Sequence, residues 1–234
     1  MIPARILLVH GALADGSSWS KVIPTLLDAG HNVTAVQQPL TSLPNDIATV
    51  KEAIHTLNED NDVPIVVVGH SFGGFVITNA ATDEPNIKSL VYVMAFAPDE
   101  GETVAVLGKG YPALESNLAF RNDTAGRLYL PPPAYLKYFA PDVDRDEARV
   151  LAATQGPFDP LRFGFPSGKP AWKQVKNKHY IVATKDQVIQ PELEEFFAKR
   201  IGAKKHTLRG ASHAGLWSRG EDVADIILEA ARGL

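Results

Sequence analysis

The sequence predicts an α/β fold in which a mostly parallel central sheet is covered by helices on both faces. Short apolar runs, many of them β-branched, alternate with segments whose apolar residues recur at helical spacing. The runs are continuously apolar, which is typical of strands buried on both faces, and their alternation with helices implies a parallel sheet. A length of 234 residues suits one such domain with a modest insertion.

Strands and helices can be placed in order from the local patterns. The predicted strands are residues 6–9, 33–36, 65–68, 90–95, 180–184 and 205–208. Helical spacing is found at residues 17–29, about 46–57, 72–81 and 221–232, and a further helix begins near Pro191 and ends before Gly202. Asp46 is expected to cap the second of these helices.

The alternation is interrupted between residues 98 and 178. This segment is rich in aromatic residues and shows no clear strand–helix order. Because an unstructured loop of about 80 residues is improbable within a compact domain, we interpret it as an inserted, partly helical cap. The predicted organisation is a core domain of residues 1–97 and 179–234, with residues 98–178 as the cap insertion.

Composition excludes several classes of function. The net charge is −4, which disfavours nucleic acid or an anionic membrane as partner, and the absence of cysteine excludes disulfides and thiolate catalysis. No stretch approaches the ~20 apolar residues that span a bilayer, and residues 6–9 are too short for a signal-peptide core. We therefore expect a cytoplasmic protein that requires no metal and no organic cofactor, since motifs for either are also missing.

A candidate nucleophile follows the third predicted strand. Residues 69–74, GHSFGG, contain the pattern G-x-S-x-G between a strand and a helix, which is the context that this motif requires. The sharp turn would hold Ser71 in a strained conformation above the carboxyl edge of the sheet. Ser71 is the predicted nucleophile, and the N–H of Phe72 at the helix start can face a developing oxyanion.

A serine nucleophile needs a neighbouring base, and the chain has seven histidines. His213 lies on a loop of small residues between the last strand and the last helix, at the edge where open α/β sheets bind ligands. The other histidines are less suitable. His31 and His55 are expected at the surface, and His179 and His206 are expected to have structural roles. His70 should point away from the serine, and His10 should orient the loop after the first strand. His213 is the predicted base.

The base needs an acid that fixes its tautomer and stabilises the imidazolium. Asp186 follows the penultimate strand, and the order Ser71, Asp186, His213 agrees with the order known for the serine motif. Asp99 also follows a strand and reaches the same edge, so it stays a rival. Asp186 is the preferred acid.

The loop after the first strand can complete the site. Gly11 would let its backbone approach the serine closely, and the N–H of Ala12 would be a second oxyanion donor beside that of Phe72. His10 is expected to orient this loop through hydrogen bonds without titrating in catalysis. Two backbone donors suit the tetrahedral intermediate of acyl transfer.

Four segments together resemble the α/β-hydrolase superfamily, in the branch that contains plant methylesterases, hydroxynitrile lyases and bacterial esterase-like proteins. They are HGALADGSSW at 10–19, GHSFGG at 69–74, ATKDQVIQPE at 183–192 and SHAGLWS at 212–218. The resemblance implies the same triad and oxyanion donors as above, and a largely helical cap. Hydroxynitrile lyases of this branch carry a lysine where this chain has Ala214, so the resemblance favours an esterase.

The predicted function is hydrolysis of carboxylic esters of small to medium apolar acids through an acyl-enzyme on Ser71. A small-molecule ester is the expected partner, and a homodimer is one candidate assembly. Tyr111, Tyr135 and Phe139 of the cap are candidate substrate-binding residues, and the acidic run at residues 142–147 disfavours docking at an oil interface. The alternatives are a cofactor-free cyanohydrin lyase with the same triad, perhydrolysis with peroxide in place of water, and a non-catalytic receptor.

Overall fold

The computed structural model describes residues 3–59, 63–156 and 158–233. Within these ranges the centre is a sheet of six parallel strands, and two short antiparallel strands form a second sheet. The strands are β1 (Arg5–Val9), β2 (Asn32–Val36), β3 (Ile65–His70), β4 (Ile87–Val93), β5 (Arg121–Asn122), β6 (Leu128–Tyr129), β7 (Asn177–Ala183) and β8 (Lys204–Leu208). The order across the main sheet is β2-β1-β3-β4-β7-β8, which confirms the predicted fold class.

Most of the helices are short. The α-helices of the described ranges are α1 (Ile23–Asp28), α2 (Leu43–Leu57), α3 (Phe72–Ala80), α4 (Val104–Leu107), α5 (Pro132–Ala134), α6 (Arg145–Ala153), α7 (Pro191–Arg200), α8 (Gly215–Ser218) and α9 (Gly220–Arg232). Single 3₁₀ turns occur at Gly16–Trp19, Glu115–Leu118, Pro160–Gly164 and Ala171–Lys173, and Tyr135–Phe139 forms a π-helical turn. Among these described helices, none has the length and apolar character needed to cross a membrane.

Two apolar layers enclose the main sheet. The layer on one face contains α2, α3 and α7, which pack with side chains such as Val67, and the layer on the other face contains α1 and α9, which pack with Val66 and Val68. β3 lies between β1 and β4 and is buried along its whole length. This two-sided burial explains why the strands appear in the sequence as continuous apolar runs.

The register of the sheet places the functional loops at one edge. Val9 at the end of β1 pairs with Gly69, and His70 at the end of β3 pairs with Val93. Ala183 at the end of β7 likewise pairs with Leu208 at the end of β8. The loops after these strands therefore emerge together at the carboxyl edge, where open α/β sheets bind ligands.

The predicted helix over residues 17–29 is wrong as a single element. It is divided into the 3₁₀ turn Gly16–Trp19 and the short helix α1. The Asp15 side chain caps the first piece by accepting the Ser17 N–H at 2.7 Å. Pro24 lies in the first turn of α1, the second piece, where its fixed φ and missing N–H favour a helix start.

The prediction that Asp46 caps α2 is also wrong. Ser42 is the N-cap, and its Oγ accepts the Asn45 N–H at 3.3 Å. Pro44 occupies the first turn, so the helix begins before Asp46. The other predicted strands and helices overlap the observed ones and differ mainly at their ends.

The segment between β4 and β7 forms a roof of short elements beside the carboxyl edge. It contains α4, α5, α6, several single helical turns and the β5–β6 pair, which agrees with the predicted, largely helical cap. Phe139 and Phe158 of this segment belong to the same apolar cluster as Phe72 and Phe75 of α3. The division into separate core and cap domains stays a prediction.

A buried ion pair ties this cap to the core. Arg162 pairs with Asp46 in the first turn of α2, and both side chains are almost wholly inaccessible to solvent. The guanidinium carbon also lies 5.1 Å from the ring centre of Phe72 and 4.4 Å from that of Phe158. Burial lowers the pKa of Arg162 to about 10, so the guanidinium is still charged at neutral pH.

Candidate active site

Ser71 lies in a strained turn between β3 and α3. Its backbone angles, φ of 53° and ψ of −122°, fall outside the regions that residues other than glycine normally adopt, as the serine motif predicts. The chain can turn this sharply because Gly73 packs directly against the end of β1. A Cβ atom at Gly73 would lie 2.4 Å from the carbonyl oxygen of Val9. The turn therefore presents Ser71 at the carboxyl edge of the sheet.

The structure brings the three predicted triad residues together. His213 Nε2 lies 2.9 Å from Ser71 Oγ, and His213 Nδ1 lies 2.5 Å from Asp186 Oδ2. His213 is fully buried and Asp186 is 3% exposed, so the pair is shielded from water. An ionised carboxylate only accepts hydrogen bonds, so it holds the proton on Nδ1 and leaves the lone pair of Nε2 facing the serine hydroxyl.

Asp186 is fixed by its own loop. Its Oδ1 accepts the N–H groups of Val188 at 2.7 Å and Ile189 at 2.9 Å, which leaves Oδ2 directed at the histidine. The rival Asp99 is engaged elsewhere, since its carboxylate lies 2.5 Å from Lys173 Nζ and is partly exposed. That lysine is the main reason that the pKa of Asp99 is lowered. The geometry thus joins Asp186, and not Asp99, to His213.

A second buried carboxyl group, which was not predicted from the sequence, lies beside Asp186. Glu194 of α7 is fully buried, and its Oε2 accepts the Ala183 N–H at 2.9 Å. Burial, and then the negative charge and hydrogen bond of the adjacent Asp186, raise the pKa of Glu194 well above its usual range. Two neighbouring buried carboxylates repel each other, which favours the protonated form of Glu194.

The loop that carries His213 is held by bonds to both core and cap. His70 Nε2–H donates to the His213 carbonyl oxygen at 3.0 Å, so the His70 ring supports the base and is not itself directed at the serine. Burial, followed by the nearby His213, lowers the pKa of His70 well below its usual value. On the cap side, the Ser212 N–H donates to the Asp142 carboxylate at 3.0 Å, and the Ser212 hydroxyl lies between that carboxylate and the Phe139 carbonyl.

The first loop packs against the serine as predicted. A Cβ at Gly11 would lie 2.7 Å from Ser71 Cβ, so this approach requires glycine. His10 Nδ1–H donates to the Gly11 carbonyl at 2.9 Å, while its Nε2 accepts the Gln38 N–H at 3.1 Å. Burial lowers the pKa of His10, which keeps the ring neutral in this orienting role.

A cavity of about 560 Å³ opens at Ser71. Ala12 and Phe72, the predicted oxyanion donors, both line it, and Phe72 is the first residue of α3, where backbone N–H groups have no partner within the helix. The rest of its wall is mainly apolar and includes Leu13, Phe96, Val104, Phe120, Phe158, Phe163, Ile189 and Leu193. The cavity volume falls in the range typical of small-molecule sites.

The three candidate substrate-binding residues of the cap have different positions. Tyr111 and Phe139 line the cavity, and the Phe139 ring meets the His213 ring edge-on at 4.8 Å between centres. Tyr135 does not belong to the lining among the described residues. It is buried behind Phe139, with the two rings stacked 4.5 Å apart, so its prediction as a substrate contact is not supported.

Residues 6–226 match the alpha/beta hydrolase family, and the chain belongs to this family. It is 33% identical over 119 residues to the carbendazim hydrolyzing esterase of Nocardioides sp. (strain SG-4G), a match that covers 47% of this chain and 49% of that protein. The chain thus aligns with about half the length of that relative. It is 26% identical to polyneuridine aldehyde esterase of Rauvolfia serpentina over an alignment 250 positions long, which covers 96% of this chain and 94% of that one.

A solved structure agrees with the family assignment. The crystal structure of a pyrethroid hydrolase from Sphingobium faniae JZ-2 superposes with a TM-score of 0.83 over 98% of this chain and 97% of that one. Its sequence identity is 22%, so the likeness establishes the shared fold. The resemblance predicted from the four sequence segments is confirmed, and these relatives are named as esterases or hydrolases.

Proposed function

We propose that this protein is a serine carboxylesterase that acts on esters of small to medium apolar acids. The observation that carries the proposal is the hydrogen-bonded series from Asp186 through His213 to Ser71, whose Ser71 end lies in the wall of an apolar cavity of about 560 Å³. A receptor would need the cavity but not this series. The esterase relatives support the same class of reaction.

In the proposed reaction, Ser71 Oγ attacks the ester carbonyl while His213 Nε2 takes its proton. The N–H groups of Ala12 and Phe72 stabilise the tetrahedral oxyanion, and Asp186 stabilises the imidazolium. His213 then gives its proton to the departing alcohol, which leaves an acyl group on the serine. A water molecule, deprotonated by the same histidine, attacks the acyl-enzyme, and His213 returns that proton to Ser71 Oγ as the C–Oγ bond breaks and the acid is released.

The cavity sets the proposed substrate size. A volume of about 560 Å³ with a mainly apolar wall suits an aromatic or short aliphatic acyl group and not three long chains. Asp144 and Glu147 of the acidic run lie at the start of α6, where Asp144 is the helix cap, and Glu147 pairs with Lys21 at 2.6 Å. This charged surface is consistent with a soluble substrate.

A lyase remains the second candidate because the triad could also move the protons of a cyanohydrin. The lysine expected for that chemistry is replaced by Ala214, a buried residue whose N–H donates to the Phe139 carbonyl at 3.1 Å. Perhydrolysis would need no further residue. The small-molecule partner, the cytoplasmic location and a homodimeric state stay predictions.

The test is a comparison of kcat/KM for p-nitrophenyl butyrate and palmitate, with emulsified triolein and mandelonitrile as further substrates. We expect the butyrate to be preferred, with little activity on triolein, and Ser71→Ala gives the non-enzymatic background for each. Faster palmitate turnover that jumps at the oil interface would show a lipase instead. Cleavage of mandelonitrile without ester hydrolysis would favour the lyase.

A further inference from the structure

Two histidines and a glutamate lie close together away from the active site, beside the edge strand β8. His179 of β7, His206 of the edge strand β8 and Glu229 of α9 place one potential ligand atom each within 4.8 Å of one another. His179 is 3% exposed, while the other two are partly exposed. His179 lies four residues before the end of β7, or about 13 Å along the strand from the carboxyl edge. The cluster is therefore separate from the triad.

The tautomer of His179 is fixed by Asn177. The side-chain Nδ2 of Asn177 donates to the Ala230 carbonyl at 3.0 Å, which identifies the other atom of the amide, Oδ1, as an acceptor. This Oδ1 lies 3.2 Å from His179 Nε2, so Nε2 carries the hydrogen. The lone pair of His179 is then on Nδ1, which accepts the hydrogen bond that His206 Nε2–H donates at 3.0 Å. Metal binding therefore requires the His206 hydrogen to move to its own Nδ1, which leaves Nε2 as the second ligand atom. A ligating histidine usually donates its other ring N–H to an oxygen acceptor, and the amide oxygen of Asn177 has that place here.

A cation site of this kind also needs a carboxylate oxygen, and Glu229 supplies it. Lys204 Nζ pairs with Glu229 Oε1, so the carboxylate has its second oxygen, Oε2, to offer to a cation.

We propose that His179, His206 and Glu229 bind a divalent transition-metal ion, Zn²⁺ being the best chemical fit. Two imidazoles and one carboxylate form a recognised zinc ligand set, with water as the fourth ligand. Tetrahedral bonds of about 2.1 Å require ligand atoms about 3.4 Å apart. The imidazole nitrogens, now 3.0 Å apart, need to separate by only a few tenths of an ångström, and the flexible Glu229 side chain moves towards them.

Such an ion would link the edge strand to its neighbour and to the last helix. In the sheet, β8 has one strand partner, β7, and α9 covers the face on which the three side chains lie. The metal would therefore stabilise the fold and not take part in ester hydrolysis. This assignment is independent of the proposed function.

The experiment is a calorimetric titration of the full chain, free of any affinity tag and stripped of metal by a chelator, with ZnCl₂ in a non-coordinating buffer. We expect one equivalent of Zn²⁺ to bind and the Tm to rise with Zn²⁺ concentration. His206→Ala and Glu229→Gln should each weaken binding by about tenfold or more, and Asn177→Ala by about 10- to 100-fold.

The matched control is His55→Ala, because His55 lies 3.0 Å from Glu84 in an exposed histidine–carboxylate pair with no second imidazole. This variant should bind Zn²⁺ like the wild type. The proposal is overturned if no saturable binding occurs, if His206→Ala and Glu229→Gln bind as well as wild type, or if His55→Ala alone removes it. Should His206→Ala fail to fold, Glu229→Gln and Asn177→Ala decide the question.

Discussion

Replacing Asp186 by asparagine is predicted to abolish the base function of His213 without altering its position. Asp186 Oδ1 accepts two backbone N–H groups, from Val188 at 2.7 Å and Ile189 at 2.9 Å. In the variant only the amide oxygen can fill this place. The amide NH₂ must then occupy the position of Oδ2, which now lies 2.5 Å from His213 Nδ1.

This arrangement reverses the tautomer of the histidine. An NH₂ group donates, so Nδ1 has to accept, and the ring hydrogen moves to Nε2 opposite Ser71. The nitrogen that should take the serine proton then has no lone pair for it. The same change in a serine protease triad lowers kcat by about 10⁴-fold, and we expect a similar loss here. That loss corresponds to a barrier higher by about 5.4 kcal/mol.

The assay is steady-state hydrolysis of p-nitrophenyl butyrate, with circular dichroism and Tm to show that the variant is folded. Asp99→Asn is the matched control, because Asp99 pairs with Lys173 and has no bond to the histidine. Its kcat should stay close to the wild-type value. Asp186 is excluded as the acid of the triad if Asp186→Asn keeps more than about a tenth of wild-type kcat, against the ~10⁴-fold loss expected. A larger loss in Asp99→Asn would exclude it as well.

Three further predictions concern the nucleophile, the buried ion pair and the second carboxyl group. Ser71→Ala should lower kcat by about 10⁶-fold with an unchanged Tm, and a variant that keeps more than about a tenth of the activity would exclude Ser71 as nucleophile. Arg162→Met leaves Asp46 charged and unpaired in the interior and should cost about 3–5 kcal/mol in urea unfolding. The matched change Arg149→Met breaks only an exposed pair and should cost less than about 1 kcal/mol, so equal losses would refute a special role for the buried pair. Glu194→Gln imitates the protonated carboxyl group. The pKa of Glu194 is raised in the folded protein, so above about 4.5 the unfolded chain releases a proton that the folded protein keeps. The wild type should therefore lose stability as the pH rises from about 4.5 towards the folded pKa, and the variant should not, so the Tm advantage of the variant should be larger at pH 8 than at pH 5; an equal Tm difference at both pH values would contradict a raised pKa.

The sequence was informative wherever function depends on local order. The turn at Ser71 requires a strand, glycines and a helix in immediate succession, and all of these are visible in one short segment. His213 and Asp186 follow strands, and the ends of parallel strands share one edge, so their proximity could be predicted without coordinates. The structure bears out this geometry with the two triad hydrogen bonds.

Side-chain partners that do not lie at the ends of strands could not be predicted. Glu194 stands among other acidic residues of α7, and only the packing of that helix against β7 separates the buried carboxyl group from the solvated ones. Arg162 and Asp46 are distant along the chain, and no spacing rule joins a cap residue to a helix start. The position of Tyr135 behind Phe139 could not be read from the sequence, because aromatic content indicates an apolar cluster but does not indicate which ring faces its cavity.

The Phe139 carbonyl joins the cap to the loop of His213. It accepts the Ala214 N–H at 3.1 Å and lies 3.0 Å from the Ser212 hydroxyl, and these are the residues on either side of His213. A displacement of this part of the cap would break these bonds or carry the imidazole with it. If the cap had to rise to admit a bulky ester, the imidazole would lose its alignment with the serine, so substrate entry and base alignment would be coupled. Poor fit in the cavity would then lower turnover as well as binding, and substrates would be discriminated after they have bound.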